Sequence, residues 1–172
     1  MKVEGCDDAA VYNTLCENLR VICNATFASL ARFDPETRTI KIESVSARDH
    51  FQRGLLDHIG QQQAIVLPDE IIEDFKSKQI LYCRTNKCWL KYVLPVEHID
   101  QLPINSDGSD YRFSCVREGE LIATGLIQLP NGRKMKTKDI VDTYLNMTGI
   151  IIQRLVAIRN LNESHRKLDE VN

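Results

Sequence analysis

Two apolar runs joined by a short turn, between residues 112 and 129, most limit what this chain can fold into. Arg112–Val116 and Glu120–Leu129 flank the sequence Arg117-Glu118-Gly119, and a glycine in so short a connection is typical of a β-hairpin. The alternation predicts two opposite faces for the second strand. One face carries Ile122, Thr124, Leu126 and Gln128, and the other carries Leu121, Ala123, Ile127 and Leu129. Gly125 is expected where a helix packs closely on the sheet.

Other segments place helices before and after further strands. Apolar residues at helical spacing predict a first helix over 8–24 and a last helix from Thr137 past Leu168. Between them, a further helix is predicted to begin with Pro68 as its first residue and to end near Lys78. The remaining predicted elements are strands at 25–33, 39–45, 64–67, 80–82 and 90–94, and a helix at 50–59. In strand 39–45, Ile40, Ile42 and Ser44 are expected to share one face, with Val45 on the other. This order predicts an α+β fold, an antiparallel sheet with helices packed on one side and long terminal helices.

Charge and hydropathy exclude two classes of partner. The 172 residues contain 22 Lys and Arg against 24 Asp and Glu, a net charge of −2, and this balance argues against nucleic-acid binding. The sequence lacks a run of about 18 uncharged apolar residues and an apolar leader, so we expect no membrane contact and a cytoplasmic location.

Three segments resemble the GAF domain. Residues 24–37 resemble the first hairpin of that family, residues 118–127 (Glu-Gly-Glu-Leu-Ile-Ala-Thr-Gly-Leu-Ile) resemble its "dGeviGvl" strand, and Lys136-Thr137-Lys138-Asp139-Ile140 leads into the last helix as the family's "ft-eD" segment does. The resemblance covers roughly residues 8–160 and implies a GAF/PAS-like fold. It also implies a non-catalytic sensory domain of a signalling protein such as a histidine kinase, which binds a small ligand or cofactor. We expect the domain at 1–160 and, at 161–172, the start of a helical linker to an output domain.

The middle of the chain departs from the patterns of known GAF subfamilies. Asn86-Lys87 precedes Cys88-Trp89 rather than the Phe-Asp-Glu of cyclic-nucleotide-binding domains, and no Cys-His dipeptide typical of bilin attachment occurs. The resemblance therefore predicts a ligand without naming it.

Cysteines supply a candidate redox site. Cys83 and Cys88 are five positions apart, and the intervening Arg84 and Lys87 favour thiolates. We take these two residues and Cys115 as candidate redox thiols, either for sensing or for a small thiol-based redox enzyme. The alternative is that they are unpaired structural cysteines, which behave as small apolar residues.

Aromatic and histidine residues near the same segment supply a candidate ligand pocket. Trp89, Tyr92, His98 and Tyr111 would line a pocket for a flat ligand, although aromatic residues around strands are also common in cores. GAF-like sensors include haem proteins, so the resemblance keeps haem as a possible cofactor, with His98 as first candidate axial ligand and His58 and His50 next. No other metal site is predicted.

The last helix carries more apolar surface than one sheet can cover. One stripe runs through Val141, Leu145, Thr148, Ile152 and Leu155, and Tyr144, Ile151 and Ile158 lie beside it. Leu161 and Leu168, seven residues apart, have the spacing of a coiled-coil seam. We therefore predict a parallel homodimer through the first and last helices. A structural dimerisation module without a ligand is an alternative function for such a chain.

Overall fold

The computed structural model describes residues 8–48, 64–83, 92, 109–130 and 132–171. The elements with described bounds are α1 (Asp8–Ile22), β1 (Phe27–Asp34), β2 (Thr39–Ala47), β3 (Ile65–Val66), α2 (Asp69–Ser77), β4 (Ile80–Cys83), β5 (Ser109–Arg117), β6 (Glu120–Leu129) and α3 (Lys138–Val171). Most of the predicted helices and strands are present within a few residues of their expected bounds. The predicted helix at 50–59 lies outside the described residues. Tyr92, the described residue of the predicted strand 90–94, is helical.

The sheet is antiparallel, with the strand order β3-β2-β1-β6-β5-β4. The terminal helices α1 and α3 pack together on one face, which we call the helical face. The short helix α2 packs on the opposite face, called the α2 face, where Ile72 and Phe75 join the core. The predicted α+β fold with long terminal helices on one side is thus confirmed, and α2 adds a cover on the other side.

The central hairpin forms as predicted and closes with a two-residue turn. Arg117 pairs with Glu120, and Glu118 (φ 53°) and Gly119 (φ 78°) both have left-handed backbone conformations. Positive φ at both central residues is typical of a type I′ turn, whose twist matches that of the flanking strands. Pro68 lies at the N-cap of α2, in an extended conformation, rather than at the predicted first helical position.

Two β-bulges reverse the predicted side-chain faces. In β2 the partners of Ala31 and Leu30 are Ile42 and Ser44, which leaves Glu43 as the extra residue. Because one inserted residue shifts the alternation, Ser44 faces α1 whereas Val45 joins Ile40 in the α2-face core. The predicted face of Ser44 and Val45 was therefore wrong.

The second bulge lies in β6. Cys115 pairs with Ala123 and Val116 with Leu121, so that Ile122 is extra. Leu121 consequently joins Leu126 in the α2-face core, and Ile122 packs with Ala123 on the helical face. The predicted faces of Leu121 and Ile122 were wrong for the same reason.

Gly125 lies close to neighbouring strands rather than to a helix, which corrects the prediction. A Cβ atom at Gly125 would lie 2.0 Å from the backbone oxygen of Ser29 and 2.3 Å from a ring carbon of Phe113. The glycine that meets the sheet from a helix is Gly149 of α3, whose added Cβ would be 3.5 Å from Cys115 Cβ.

Helix α3 is 34 residues long and changes character along its length. Val141, Leu145 and Ile152 are fully buried against the sheet. From Ala157 to Val171 every residue is exposed. No helix in the described part of the chain combines the length and apolarity needed to cross a membrane. The boundary between a domain at 1–160 and a linker at 161–172 stays a prediction.

Candidate functional site

A row of polar side chains lies buried on the α2 face of the sheet. Asp110, Arg112 and Ser114 alternate along β5 and are at most 3% exposed. Their partners across the ladder are Gln128, Leu126 and Thr124 of β6. Burial of so many polar groups costs free energy unless each finds a partner, so the hydrogen bonds of this row decide what it can do.

Among the residues that the structure describes, the side chain that bonds Asp110 is an amide rather than a cation. Gln128 Nε2 donates to Asp110 Oδ1 at 3.2 Å, and the Thr26 hydroxyl lies 3.4 Å from Gln128 Oε1. Burial is the main cause that raises the pKa of the Asp110 carboxyl to about 6, and the hydrogen bond from Gln128 opposes this rise. A carboxyl whose pKa is raised in this way keeps its proton to a higher pH than an exposed aspartate does.

Arg112, two residues along the same face, is already committed to α2. Its Nη1 donates to Asp74 Oδ2 at 2.9 Å and its Nη2 to the Asp74 backbone oxygen at 3.3 Å. Its guanidinium carbon lies 4.5 Å from the centre of the Phe75 ring. The guanidinium therefore ties β5 to the C-terminal half of α2 and does not neutralise Asp110.

Two buried atoms of the polar row have no hydrogen-bond partner in the described part of the chain. These atoms are Arg112 Nε and Ser114 Oγ. An unmet buried polar atom costs about 1–3 kcal/mol, and such groups in a native fold are typical of sites that a ligand or water completes. Together with Asp110 they make the α2 face the strongest candidate for recognition of a small molecule.

A concave surface lies elsewhere, between the end of α1 and the start of α3. Its volume is about 440 Å³, and Cys23, Arg133, Lys134 and Lys136 are among its lining residues. These basic side chains are exposed, so water already solvates them. The buried polar row remains the better candidate because its groups lack that solvation.

Solved structures with the same architecture identify the fold. No protein-family model matches the chain, and no curated protein matches it. The GAF domain/HD domain protein from Geobacter sulfurreducens superimposes with a TM-score of 0.63 and 11% identity, over 88% of this chain and 95% of that chain. The blue-light absorbing form of the Thermosynechococcus elongatus PixJ GAF domain gives a TM-score of 0.60 and 15% identity, over 92% of each chain. The chain has the GAF fold.

A third similar structure comes from a kinase. A domain of a putative two-component sensor histidine kinase protein from Sinorhizobium meliloti 1021 has a TM-score of 0.57 and 14% identity, over 92% of this chain and 99% of that chain. At these identities the likeness establishes the GAF fold alone.

The predicted pocket aromatics lie on different faces of this GAF fold. The Tyr92 ring packs edge-on against Phe75 with centroids 5.7 Å apart, on the α2 face. Tyr111 points to the helical face, where its hydroxyl accepts the Met135 backbone N–H at 3.1 Å and its ring contacts Tyr82. The structure therefore brings Tyr92, but not Tyr111, to the face of the polar row.

The other predicted pocket and haem residues are Trp89, His98, His58 and His50, which lie outside the described residues, and their roles stay predictions. Among the residues that the structure describes, no group of three or more His, Cys, Asp or Glu side chains is placed to hold a metal ion. Sequence reasoning missed Asp110, Arg112, Ser114 and Gln128, although the i, i+2, i+4 spacing of the first three was visible.

The candidate thiols have two different environments. Cys83 is disulfide-bonded, at the end of β4 directly opposite Asp110 in the ladder. Cys115 is a free thiol, 2% exposed, and burial raises its pKa to about 12. That burial is typical of a core thiol and does not favour a reactive thiolate. Cys88 lies outside the described residues, so its pairing with Cys83 stays a prediction.

Thiol labelling of the native protein is expected to spare two cysteines. Cys16 and Cys115 are both buried with pKa values raised to about 12, and reaction requires an exposed thiolate. An aromatic disulfide reagent at pH 8 should leave both unmodified over minutes and label them after denaturation. Peptide mapping of the product checks this, and rapid labelling of Cys115 in the folded protein would contradict its described environment.

Proposed function

We propose that this chain is a non-catalytic sensory domain of a signalling protein, which binds a small ligand against the α2 face and transmits its bound state through α3. The buried polar row with its unmet Arg112 Nε and Ser114 Oγ is the observation that carries the proposal. The GAF fold supports it, since similar structures include the PixJ GAF domain and a sensor histidine kinase domain.

Strand β5 offers a physical route from the ligand face to the terminal helices. Its even-numbered residues from Asp110 to Ser114 belong to the polar row, whereas Phe113 and Cys115 belong to the core beneath α3. At the end of the strand, Arg117 Nε donates to Gln153 Oε1 of α3 at 2.7 Å. A ligand that shifts β5 therefore acts directly on α3. For such a shift, the ligand must bind one arrangement of β5 against α3 more tightly than the other.

The terminal helices are also joined to each other. The Tyr144 hydroxyl of α3 donates to the Leu15 backbone oxygen of α1 at 3.1 Å, and Arg159 pairs with Asp8 at 2.6 Å. Because Arg159 lies where α3 leaves the sheet, a movement of α3 is shared with α1 at that point. An output domain after α3, such as that of a histidine kinase, would receive the change.

The chemistry of the row indicates what the ligand presents. A buried carboxyl next to an amide accepts a hydrogen bond from an amine, amidine or ring N–H group, while Ser114 Oγ and Arg112 Nε have capacity for a further polar group. Such a ligand at 100 times its dissociation constant raises the free energy of unfolding by about 2.7 kcal/mol. Haem remains a candidate, and a Soret band in the purified protein would be its signature.

A thermal-shift screen of nitrogen-containing metabolites tests the proposal. We expect a stabilising ligand whose effect is lost in Ser114→Ala and Asp110→Asn but kept in Asp169→Asn, which removes the same charge from the exposed end of α3. A ligand whose stabilisation survives both α2-face substitutions contradicts the proposed site. If no compound stabilises the protein, the result favours the structural dimerisation module.

Redox sensing is the second candidate function, because Cys83 is disulfide-bonded beside Asp110. Mapping of unreduced peptides identifies the partner cysteine, and Cys88 is the expected one. Reduction should then change the proteolytic sensitivity of α3 if the bond is a sensor. Turnover of a thiol substrate would instead support a small redox enzyme, and an unchanged α3 would indicate a purely structural bond.

A further inference from the structure

The connection between β6 and α3 concentrates positive charge. Residues 132–138, which we call the basic segment, read Gly-Arg-Lys-Met-Lys-Thr-Lys and contain four cations and no carboxylate, whereas the whole chain has a net charge of −2. The side chains of Arg133, Lys134, Lys136 and Lys138 are all exposed. A local excess of one sign in a chain of balanced charge favours a ligand of the opposite sign.

Contacts with the sheet fix the path of the basic segment. The Met135 backbone N–H donates to the Tyr111 hydroxyl of β5 at 3.1 Å, and the Met135 side chain packs on the core of the helical face. Nearer to β6, the Arg133 backbone N–H donates to the Pro130 backbone oxygen at 3.1 Å. A ligand that binds side chains on a held backbone loses less free energy to ordering than one that binds a free loop.

The basic segment forms one wall of the concave surface between the end of α1 and the start of α3. The opposite wall is the end of α1, where Asn24 has a left-handed backbone conformation (φ 50°) and Cys23 is half-buried. Pockets for small molecules have volumes of about 300–1,000 Å³, and this surface offers about 440 Å³. It is therefore large enough for a small metabolite.

The cations that line this surface have no opposite charge beside them in the described part of the chain. Arg133, Lys134 and Lys136 are lining residues, and no described Asp or Glu lines the surface with them. None of the three forms an ion pair with a described residue. Asp139, the next acid along the chain, lines a different groove. A bound anion would relieve the repulsion among these like charges.

A further cation lies behind the opposite wall. Arg48 Nη2 donates to Asn24 Oδ1, and Arg48 likewise forms no ion pair with a described residue. Positive charge is thus present on both sides of the concave surface. Facing walls of one sign raise the local concentration of a small ion of the other sign.

We propose that this concave surface binds the phosphoryl group of a small soluble molecule, a phosphomonoester or a pyrophosphate ester. A phosphoryl group carries nearly two negative charges on three acceptor oxygens, so it can contact all three lining cations, whereas a carboxylate has one charge and two oxygens. Arg133 can donate two parallel hydrogen bonds to it, while Lys134 and Lys136 act as point charges.

The body of the ligand has its own place beside the phosphoryl group. Ile22 and Pro130 line the same surface and are half-buried, so an apolar or flat body can pack against them. The attraction for the anion comes from the basic side chains rather than from the N-terminus of α3, because Asp139 already places a negative charge in the first turn of that helix.

Such a ligand would give α3 an input separate from the α2 face. Tyr111, which holds Met135, lies on the helical face. The Thr137 backbone oxygen accepts the Val141 N–H at 3.0 Å, so the first turn of α3 begins where the basic segment ends. Binding there orders the segment and the start of α3 together. This inference does not depend on the identity of the ligand at the α2 face.

Isothermal titration calorimetry at low ionic strength tests the site, with inorganic pyrophosphate as the probe. We expect saturable binding to the native chain and a dissociation constant about tenfold higher or more for Arg133→Gln with Lys136→Gln, because two charge-assisted hydrogen bonds are lost. The matched control, Lys41→Gln with Arg166→Gln, removes the same two charges from exposed positions elsewhere and should bind as the native chain does. The melting temperature without pyrophosphate should be the same for all three proteins.

Two further measurements locate the site and the source of the phosphoryl group. Amide chemical shifts of residues 132–138 should move during the titration, and Ser114→Ala, a substitution on the α2 face, should bind pyrophosphate like the native chain. Vesicles of phosphatidylcholine and phosphatidylserine should not cosediment with the protein. Absence of pyrophosphate binding, binding that survives the loss of Arg133 and Lys136, or cosedimentation that depends on these two side chains would each overturn the proposal.

Discussion

Gly125→Ala is expected to lower the free energy of unfolding by about 3 kcal/mol or more, a large part of the stability of an ordinary domain. The added Cβ would lie 2.0 Å from the Ser29 backbone oxygen and 2.3 Å from the Phe113 ring. Phe113 is fully buried, and Ser29 belongs to the central strand β1, so neither neighbour can move away cheaply. Urea denaturation followed by far-UV circular dichroism measures the loss.

Gly149→Ala is the matched control for this substitution. Its Cβ would meet Arg117 and Cys115 atoms at 3.4–3.6 Å, which is ordinary van der Waals contact. Alanine is favoured over glycine inside a helix by about 1 kcal/mol, so this variant should be as stable as the native chain or more stable. An unchanged urea midpoint for Gly125→Ala would show that β1 and β6 do not approach each other as described.

The hairpin and the long last helix could be predicted because their signals are local. A glycine two residues before a new apolar run predicts the turn, and the unbroken helical period after Thr137 predicts α3. Both features depend on residues near each other in sequence, where propensity and pattern agree. The order of these elements then led to the fold class.

The side-chain faces could not be predicted beyond each bulge. Glu43 and Ile122 are ordinary strand residues, and nothing in their local sequence indicates an insertion in the ladder. A bulge is set by how two strands pair, which is a tertiary property. The close contact at Gly125 was likewise predicted to involve a helix. A glycine within a strand indicates that another part of the chain lies close to it, but not which part.

The site was missed because its sequence pattern has an ordinary interpretation. Asp110, Arg112 and Ser114 alternate with Tyr111, Phe113 and Cys115, which is typical of a strand with one solvent-facing side. In the structure that polar side is buried. Among the described residues, Asp74 and Phe75 of α2 pack on this side of the strand through Arg112, so it does not face solvent.

Asp110→Asn is expected to stabilise the protein at pH 7.5. The carboxyl has a pKa raised from 3.8 to about 6, so the folded state favours its protonated form. The protonated carboxyl therefore contributes to the free energy of unfolding fully below about pH 4, and this contribution is lost as the pH rises through 6. Two pKa units correspond to about 2.7 kcal/mol, and partial screening by solvent reduces the expected gain to about 1–2 kcal/mol. Asparagine keeps an oxygen that accepts the Gln128 hydrogen bond.

Urea denaturation at a series of pH values between 4 and 8 measures this effect. The gain of Asp110→Asn over the native chain should grow between pH 4 and 7, while Asp169→Asn, an exposed carboxyl of α3, should follow the native curve. A gain at pH 7.5 together with loss of ligand binding means that the native carboxyl costs stability and serves recognition, as buried charges at functional sites do. A loss of stability at every pH would instead assign Asp110 a structural role and remove it from the ligand site.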